Sequence, residues 1–206
     1  MNPYQAFLPS ITSEQWQKLF HYEQLLLEWN QKINLISRVA PEHTFERHIL
    51  PILPAQGFLD PAMRTVLDIG TGGGIPGIPL AILFPNTSFT LIDSIHKKMR
   101  AVEAIVQDLH LGNVQLVCER SEQLKWVGDA CVGRGVTAFA DFISLAKPHV
   151  DKRRGRVVYW SGGNFFIDDK MVAKYTTILD LEQFFKGQYA QTKKIFHYQA
   201  GKAFHD

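Results

Sequence analysis

Asp68 closes the apolar run Val66-Leu67-Asp68-Ile69 and is followed by Gly70, Gly72, Gly73, Gly74 and Gly77. Glycines crowded in this way let the backbone take positive φ and leave bare main chain for a ligand to lie against. Pro76 suits the first turn of a helix, where an N–H would be unpaired anyway, and Pro79 is acceptable only within that same turn. The stretch therefore reads as a buried strand, a glycine-rich turn and the start of a helix, and as a cofactor site. Gly72-x-Gly74-x-x-Gly77 satisfies the dinucleotide pattern G-x-G-x-x-G, with Asp93 about 20 residues further on, where the next strand ends. Alone, that pattern is weakly specific.

The elements that must position these residues alternate. Strands are expected at 64–69, 88–93, 113–118, 129–133 and 156–160, with helices at 76–84, 96–109, 137–148 and 164–174. Short apolar strands separated by helices indicate βαβ units and a parallel sheet. Residues 177–184 and 192–199 read as two more strands joined by Lys186-Gly187-Gln188-Tyr189 without a helix, an antiparallel pair at one edge. Before all this, Thr12-Ser-Glu-Gln15 forms a capping box ahead of a long amphipathic helix over 13–30. A second short helix from Pro41 carries Phe45 and Ile49 inward and is stopped by Pro51 and Pro54. The expected division is a helical extension over 1–60 and a main domain over 61–206.

The 206 residues are 46% hydrophobic and 20% charged, a composition that builds a sizeable core. A net charge of +2 does not by itself imply a polyanionic partner, so a nucleic-acid surface would be a local patch. Cys118 and Cys131 both lie in apolar runs and are expected to be buried free thiols. No apolar stretch is long enough to span a membrane, and the first residues lack a signal-peptide pattern, which points to the cytoplasm.

Two details argue against a nicotinamide cofactor. The carboxylate of Asp68 disfavours a pyrophosphate but can hold a cationic amino-acid moiety, directly or through water. The antiparallel tail also differs from the parallel half that completes a dinucleotide fold. S-adenosylmethionine, with an ammonium, a sulfonium and a ribose but no phosphate, fits better. Asp93 would then accept hydrogen bonds from the ribose hydroxyls, although a carboxylate there also serves as a helix cap.

At this level the chain resembles a known family. Asp68-Ile-Gly-Thr-Gly-Gly-Gly-Ile-Pro-Gly-Ile-Pro79 is similar to the cofactor loop of the small-subunit ribosomal RNA methyltransferase G family, also called glucose-inhibited division protein B. Trp29-Asn30, Ile33-Asn34-Leu35, Arg47-His48-Ile49-Leu50, Phe89-Thr-Leu-Ile-Asp-Ser94 with Lys97-Lys98, and Asp129 leading to Arg134 match in the same order. The resemblance implies a Rossmann-like class I methyltransferase sheet of seven mostly parallel strands with an antiparallel C-terminal edge and an N-terminal helical extension. It implies methylation of N7 of a guanosine in small-subunit ribosomal RNA, free or in a ribosomal particle, by a monomer using S-adenosylmethionine. Carried over residue by residue, Gly70, Gly72, Gly74 and Ile75 hold the cofactor, Asp93 and Ser94 its ribose, and Ser121 and Glu122 its adenine. Arg134 lies at the cofactor pocket near the incoming base, and Arg47 and His48 frame the mouth with Lys97, Lys98 and Arg100. Ser121-Glu122 could instead start a short helix, Arg134 could be a solvated charge, and His48 could be a packing residue.

Three departures fall around the RNA-facing mouth. Pro51-Ile52 replaces the acid usual after Arg-His-Ile, Ser161-Gly162 stands for Lys-Gly, and Gly135-Val-Thr replaces an alanine-rich run. Lys152-Arg153-Arg154 with Arg156 forms a second basic cluster, either a solvated face or an RNA contact. Guanine N7 has no proton to lose, so no catalytic acid or base is expected. A methyltransferase for small molecules, a nicotinamide-dependent oxidoreductase and a non-catalytic binding module are the competing readings.

Overall fold

Four of the five residues of strand β1 (Thr65–Ile69) are buried, as a strand covered on both faces must be, and this places it inside a sheet. The computed structural model describes residues 4–37, 41–162, 167, 169–185 and 193–200. Among them β1 is joined by β2 (Ser88–Ile92), β3 (Val114–Val117), β4 (Ala130–Arg134), β5 (Arg156–Gly162), β6 (Thr176–Asp180) and β7 (Lys193–Tyr198). The order is β3-β2-β1-β4-β5-β7-β6. The first five strands run parallel, and β7 enters antiparallel between β5 and β6. The order turns back between β1 and β4, and ligands of open α/β sheets bind in the crevice at the carboxyl ends of such strands.

Alternation along the strands divides the core. Val66, Phe89, Leu91, Val132, Val158, Trp160 and Ile195 share one face with α1 (Ser13–Lys32) and α2 (Gly77–Leu83). Residues of α3 (His96–Asp108), Ala101, Val102 and Ile105, join that layer. Leu67, Ile69, Cys131, Val157, Tyr159 and Phe196 point the other way, onto α4 (Phe139–Ala146). Val172 of the short α5 (Lys170–Lys174) belongs to the same cluster.

The capping box at Thr12 is formed, with Gln15 N–H on Thr12 Oγ1 (3.2 Å) and Thr12 N–H on Gln15 Oε1 (3.0 Å). The Gln15 amide also donates to the carbonyls of Ile82 and Leu83, both at 3.1 Å, so the start of α1 caps the end of α2. α1 runs two residues past the expected end, to Lys32.

Several expectations are corrected. The segment after Pro41 does not stop at Pro51. It passes from a 3₁₀ turn (Pro41–His43) into a π turn (Phe45–Ile49) and a 3₁₀ run (Leu50–Gly57) that contains both prolines. The Leu50 N–H reaches back to the Phe45 carbonyl, and Pro51 has no N–H to offer. The wider turn followed by the proline leaves the carbonyls of Arg47 and His48 free for other donors. The strand expected over 177–184 ends at Asp180 and turns into a 3₁₀ segment, Leu181–Gln183, in which the Glu182 N–H is met by the Asp180 side chain (3.1 Å). The Lys186–Tyr189 turn and residues 164–166 and 168 of the helix expected over 164–174 lie outside the described residues. Cys131 is buried, but Cys118 is exposed because it follows the edge strand β3.

Candidate functional site

Two cavities open at the carboxyl ends of the parallel strands, and they share Gly135. The first, about 280 Å³, is built from the residues that follow β1 to β4: Gly70, Asp93, Ser94, Ser121, Glu122 and Val136. Gly70 has a φ of +70°, and a Cβ there would lie 2.8 Å from Val136 Cγ2, so both the turn and the packing require glycine. The Asp93 carboxylate stands at the end of β2 and is fixed by two backbone donors, Gly72 N–H (3.0 Å) and Ile95 N–H (2.9 Å). It braces the turn that leads into α3 while leaving further lone pairs for a ligand hydroxyl. Ser121 donates to Glu122 (3.1 Å), and that bond, after the Glu122 backbone N–H, keeps the carboxylate below its usual range.

Beneath this cavity Asp68 is fully buried. Its Oδ2 accepts from Thr71 Oγ1 (2.6 Å) and Gly77 N–H (2.9 Å), while Oδ1 has no partner. Burial raises the carboxyl group to about 7 against the pull of those two donors. A Cβ at Gly77 would come within 2.7 Å of Oδ2, so glycine is needed for this contact. Pro76 precedes α2 after a cis peptide bond and Pro79 occupies its first turn, the one place where it was acceptable. Tyr22 of α1 donates to the Gly73 carbonyl (2.8 Å) and ties the N-terminal helix to the glycine turn.

The second cavity, about 350 Å³, lies between the π turn and β5 and β7, and is lined by Arg47, His48, Arg134, Trp160, Lys193 and Lys194 among others. Arg134, at the end of β4, donates through Nη1 to the His48 carbonyl (2.6 Å) and through Nη2 to the Arg47 carbonyl (3.4 Å) and to His48 Nδ1 (2.7 Å). Lys193 Nζ also donates to the Arg47 carbonyl (2.8 Å). The two carbonyls released by the π turn and Pro51 are thus taken by cations. Because Nδ1 accepts from Arg134, the His48 ring is neutral with its proton on Nε2. That Nε2 faces the Ser37 backbone but makes no bond at hydrogen-bonding distance. Burial, then Arg134, Lys193 and Arg47, push the imidazole down to about 3. Burial likewise lowers Arg134 to about 10 and Lys193 to about 7, the latter helped by Arg134 and Arg47.

Gly70, Asp93, Ser94, Ser121 and Glu122 therefore come together around the first cavity. Gly72 contributes its N–H to Asp93, whereas Gly74 and Ile75 are buried and line neither cavity. Arg134 joins Arg47 and His48 around the second cavity rather than entering the first. Lys98 lines the first cavity, while Lys97 and Arg100 are exposed on α3 and line neither. The Lys152–Arg156 cluster lies at the amino ends of β4 and β5, opposite both cavities, where Asp151 caps Arg153 and Arg154. Sequence reasoning missed Lys193, Trp160 and Tyr159. Tyr159 Oη accepts from Val136 N–H (3.0 Å) and Thr137 N–H (3.2 Å), holding the loop between the cavities. Trp160, on the opposite face of β5, donates to the Pro51 carbonyl (3.0 Å). Adjacent lysines at 193–194 were the available signal, and such a pair usually reads as a solvated strand edge.

The model of the rRNA small subunit methyltransferase G family matches residues 15–189. The chain belongs to this family. The ribosomal RNA small subunit methyltransferase G of Flavobacterium johnsoniae is 40% identical over 201 residues, which is 93% of this chain and 94% of that protein. Its counterpart from Bacteroides thetaiotaomicron is 35% identical over 94% of this chain and 97% of that protein. A methyltransferase from Geobacter sulfurreducens shares the fold with a TM-score of 0.59 at 16% identity, over 94% of this chain and 93% of that one. An rRNA methylase from Streptococcus thermophilus gives a TM-score of 0.51 at 14% identity, over 72% of this chain and 95% of that one. This member of the rRNA small subunit methyltransferase G family thus has the class I methyltransferase sheet, with the N-terminal helices included in the family match. Among its described residues no helix is long and apolar enough to cross a membrane.

Proposed function

We propose that this protein methylates N7 of a guanosine in small-subunit ribosomal RNA, with S-adenosylmethionine as methyl donor. The observation that carries the proposal is the pair of adjoining cavities of opposite character at one switch point. The first offers Asp93, Glu119 and Glu122 against Lys98 and Arg120, a lining that suits a ligand without phosphate. The second is lined by Arg47, Arg134, Lys193 and Lys194 with no carboxylate, as an RNA-facing surface should be.

The lining of the first cavity fits S-adenosylmethionine. A fixed carboxylate stands where a ribose needs an acceptor, the main chain is bare at Gly70, and an unpaired buried oxygen of Asp68 lies beneath the turn. Gly70 would face the methionine end, Asp93 and Ser94 the ribose, and Ser121 and Glu122 the adenine. When bound, S-adenosylmethionine supplies an electrophilic methyl carbon. Guanine N7 presents an in-plane lone pair and carries no proton, so what the protein provides is position. His48 fits that requirement, since an imidazole held near 3 takes no proton at neutral pH. Tyr159 sets the position of Gly135 and Val136, where base and donor would meet. Double-helical RNA hides N7 in its deep groove, so the target guanosine lies in a loop or is splayed out.

On this reading residues 1–60 are a module that carries Arg47 and His48 to the rim of the methyltransferase domain, residues 61–206. The protein works as a cytoplasmic monomer on the RNA or on a ribosomal particle. The test is to map modified guanosines in small-subunit RNA from cells lacking and regaining this protein. One 7-methylguanosine should disappear and return. An unchanged modification map overturns the proposal.

A further inference from the structure

Arg134 is partly buried, and no carboxylate among the described residues pairs with it. Its guanidinium is held by backbone carbonyls and a neutral imidazole, which accept its hydrogen bonds but leave its charge uncompensated. Lys193 and Arg47 lie close enough to repel it. A charge drawn partly out of water, with more of the same sign beside it, is costly unless something of opposite sign completes the site. Lys194 differs, because it is paired with Asp180 of β6 at 3.5 Å. The Arg47 side chain makes no hydrogen bond to any described residue, and Lys193 has a single bond, to a carbonyl.

We infer that the cavity between the π turn and strands β5 and β7 is a phosphate pocket, in which Lys193 and Arg47 grip one phosphate of the RNA strand next to the target guanosine and Arg134 supports it from behind. The inference rests on the RNA reading above and adds to it the chemical group recognised and the residue from β7 that recognises it. The geometry is suited to the task. Arg47 is free to offer a two-pronged donor, and Lys193 has donors left after its one carbonyl bond. Trp160 walls the cavity on the β5 side and is itself fixed to Pro51. The groups facing Lys193 are Arg47 and His48 from the π turn and Arg134 from β4, with Lys194 and its partner Asp180 alongside. Against those neighbours its ammonium is held only weakly at neutral pH. An arriving phosphate anion should restore the proton, so binding and protonation of Lys193 are coupled.

The protein is titrated with inorganic phosphate while the Lys193 Nζ and Cε signals are followed by NMR, assigned through Lys193→Arg. Phosphate should shift the Lys193 titration to higher pH, and an unmoved titration overturns the pocket. In parallel, RNA affinity is measured against salt for the wild type, Lys193→Met and Lys193→Arg. Loss of one phosphate contact should lower the salt slope by about 0.7 and weaken binding about fivefold at 0.1 M salt, with Lys193→Arg restoring both. An unchanged slope in Lys193→Met, with phosphate still shifting Lys193, means that the pocket takes only the free anion, and overturns the RNA assignment. The phosphate titration uses no RNA, so its outcome is independent of whether the protein methylates a guanosine. Calorimetry with S-adenosylmethionine should give the same affinity in all three proteins, and a loss there would show a collapsed fold and overturn the reading of the variants.

Discussion

Replacing Asp68 by Asn isolates the consequence of sealing a carboxyl group beneath the glycine turn. The amide oxygen keeps the bonds from Thr71 and Gly77, and the amide nitrogen takes the place of the unpartnered oxygen. The wild-type group is raised from 3.8 to about 7, with burial as the largest cause. Below the unfolded value both states are protonated. Between the two values the folded protein keeps a proton that the unfolded chain has released, so stability falls as pH rises, by about 1.4 kcal/mol per unit. The loss is complete above the folded value. Asn does not titrate, so its stability relative to wild type should improve by roughly 3 kcal/mol between about pH 5 and about pH 8. Using the difference between two pH values cancels the fixed cost of the amide and the histidine titrations common to both proteins. Urea unfolding followed by tryptophan fluorescence, at several pH values across that window, gives the number. A gap between the two proteins that stays constant with pH refutes the reasoning.

Acid should act in the opposite direction through His48 and His197, lowered to about 3 and about 4 with burial as the main cause. Their contribution is intact above the unfolded value and is lost as pH falls through it, by about 1.4 kcal/mol per unit for each ring, which urea midpoints between neutrality and about pH 4 would register. Arg134→Met should raise the His48 titration, read by NMR, because the nearest positive charge is gone. Trp160→Phe should cost about 1 kcal/mol in unfolding free energy through the lost bond to Pro51. Gly77→Ala should cost about 1–3 kcal/mol, because its Cβ has only 2.7 Å to Asp68 Oδ2 and 2.8 Å to Leu91 Cγ. Asp93→Ala should weaken S-adenosylmethionine binding by at least about tenfold in calorimetry, since a ribose loses its charged acceptor.

The parallel half of the sheet was legible because each strand is a short apolar run ending in a turn signal, and the first cavity sits on those turns. Gly70, Asp93 and Ser121 could be placed from one strand end to the next without knowing any long-range contact. The second cavity was legible only in part. Arg47 and His48 could be pointed at its rim, but Pro51 was read as a stop, when a π turn upstream had already altered the hydrogen-bond pattern it interrupts. Lys193 could not be placed at all. Its role depends on β7 inserting between β5 and β6, a pairing of residues far apart in the chain that periodicity does not encode. Cys118 was misplaced for a related reason, since an apolar run does not reveal that its strand is the edge.

The position of β7 also sets an order of assembly. Every residue lining the first cavity falls within 69–145, whereas the second requires Lys193. A chain emerging from the ribosome folds from its amino end, so the residues lining the first cavity, and Tyr159 that braces it, are made before the strand that completes the second. If the second cavity holds RNA as proposed, a newborn molecule would be kept from clamping onto the ribosomal RNA that surrounds it until β7 has slotted into the sheet.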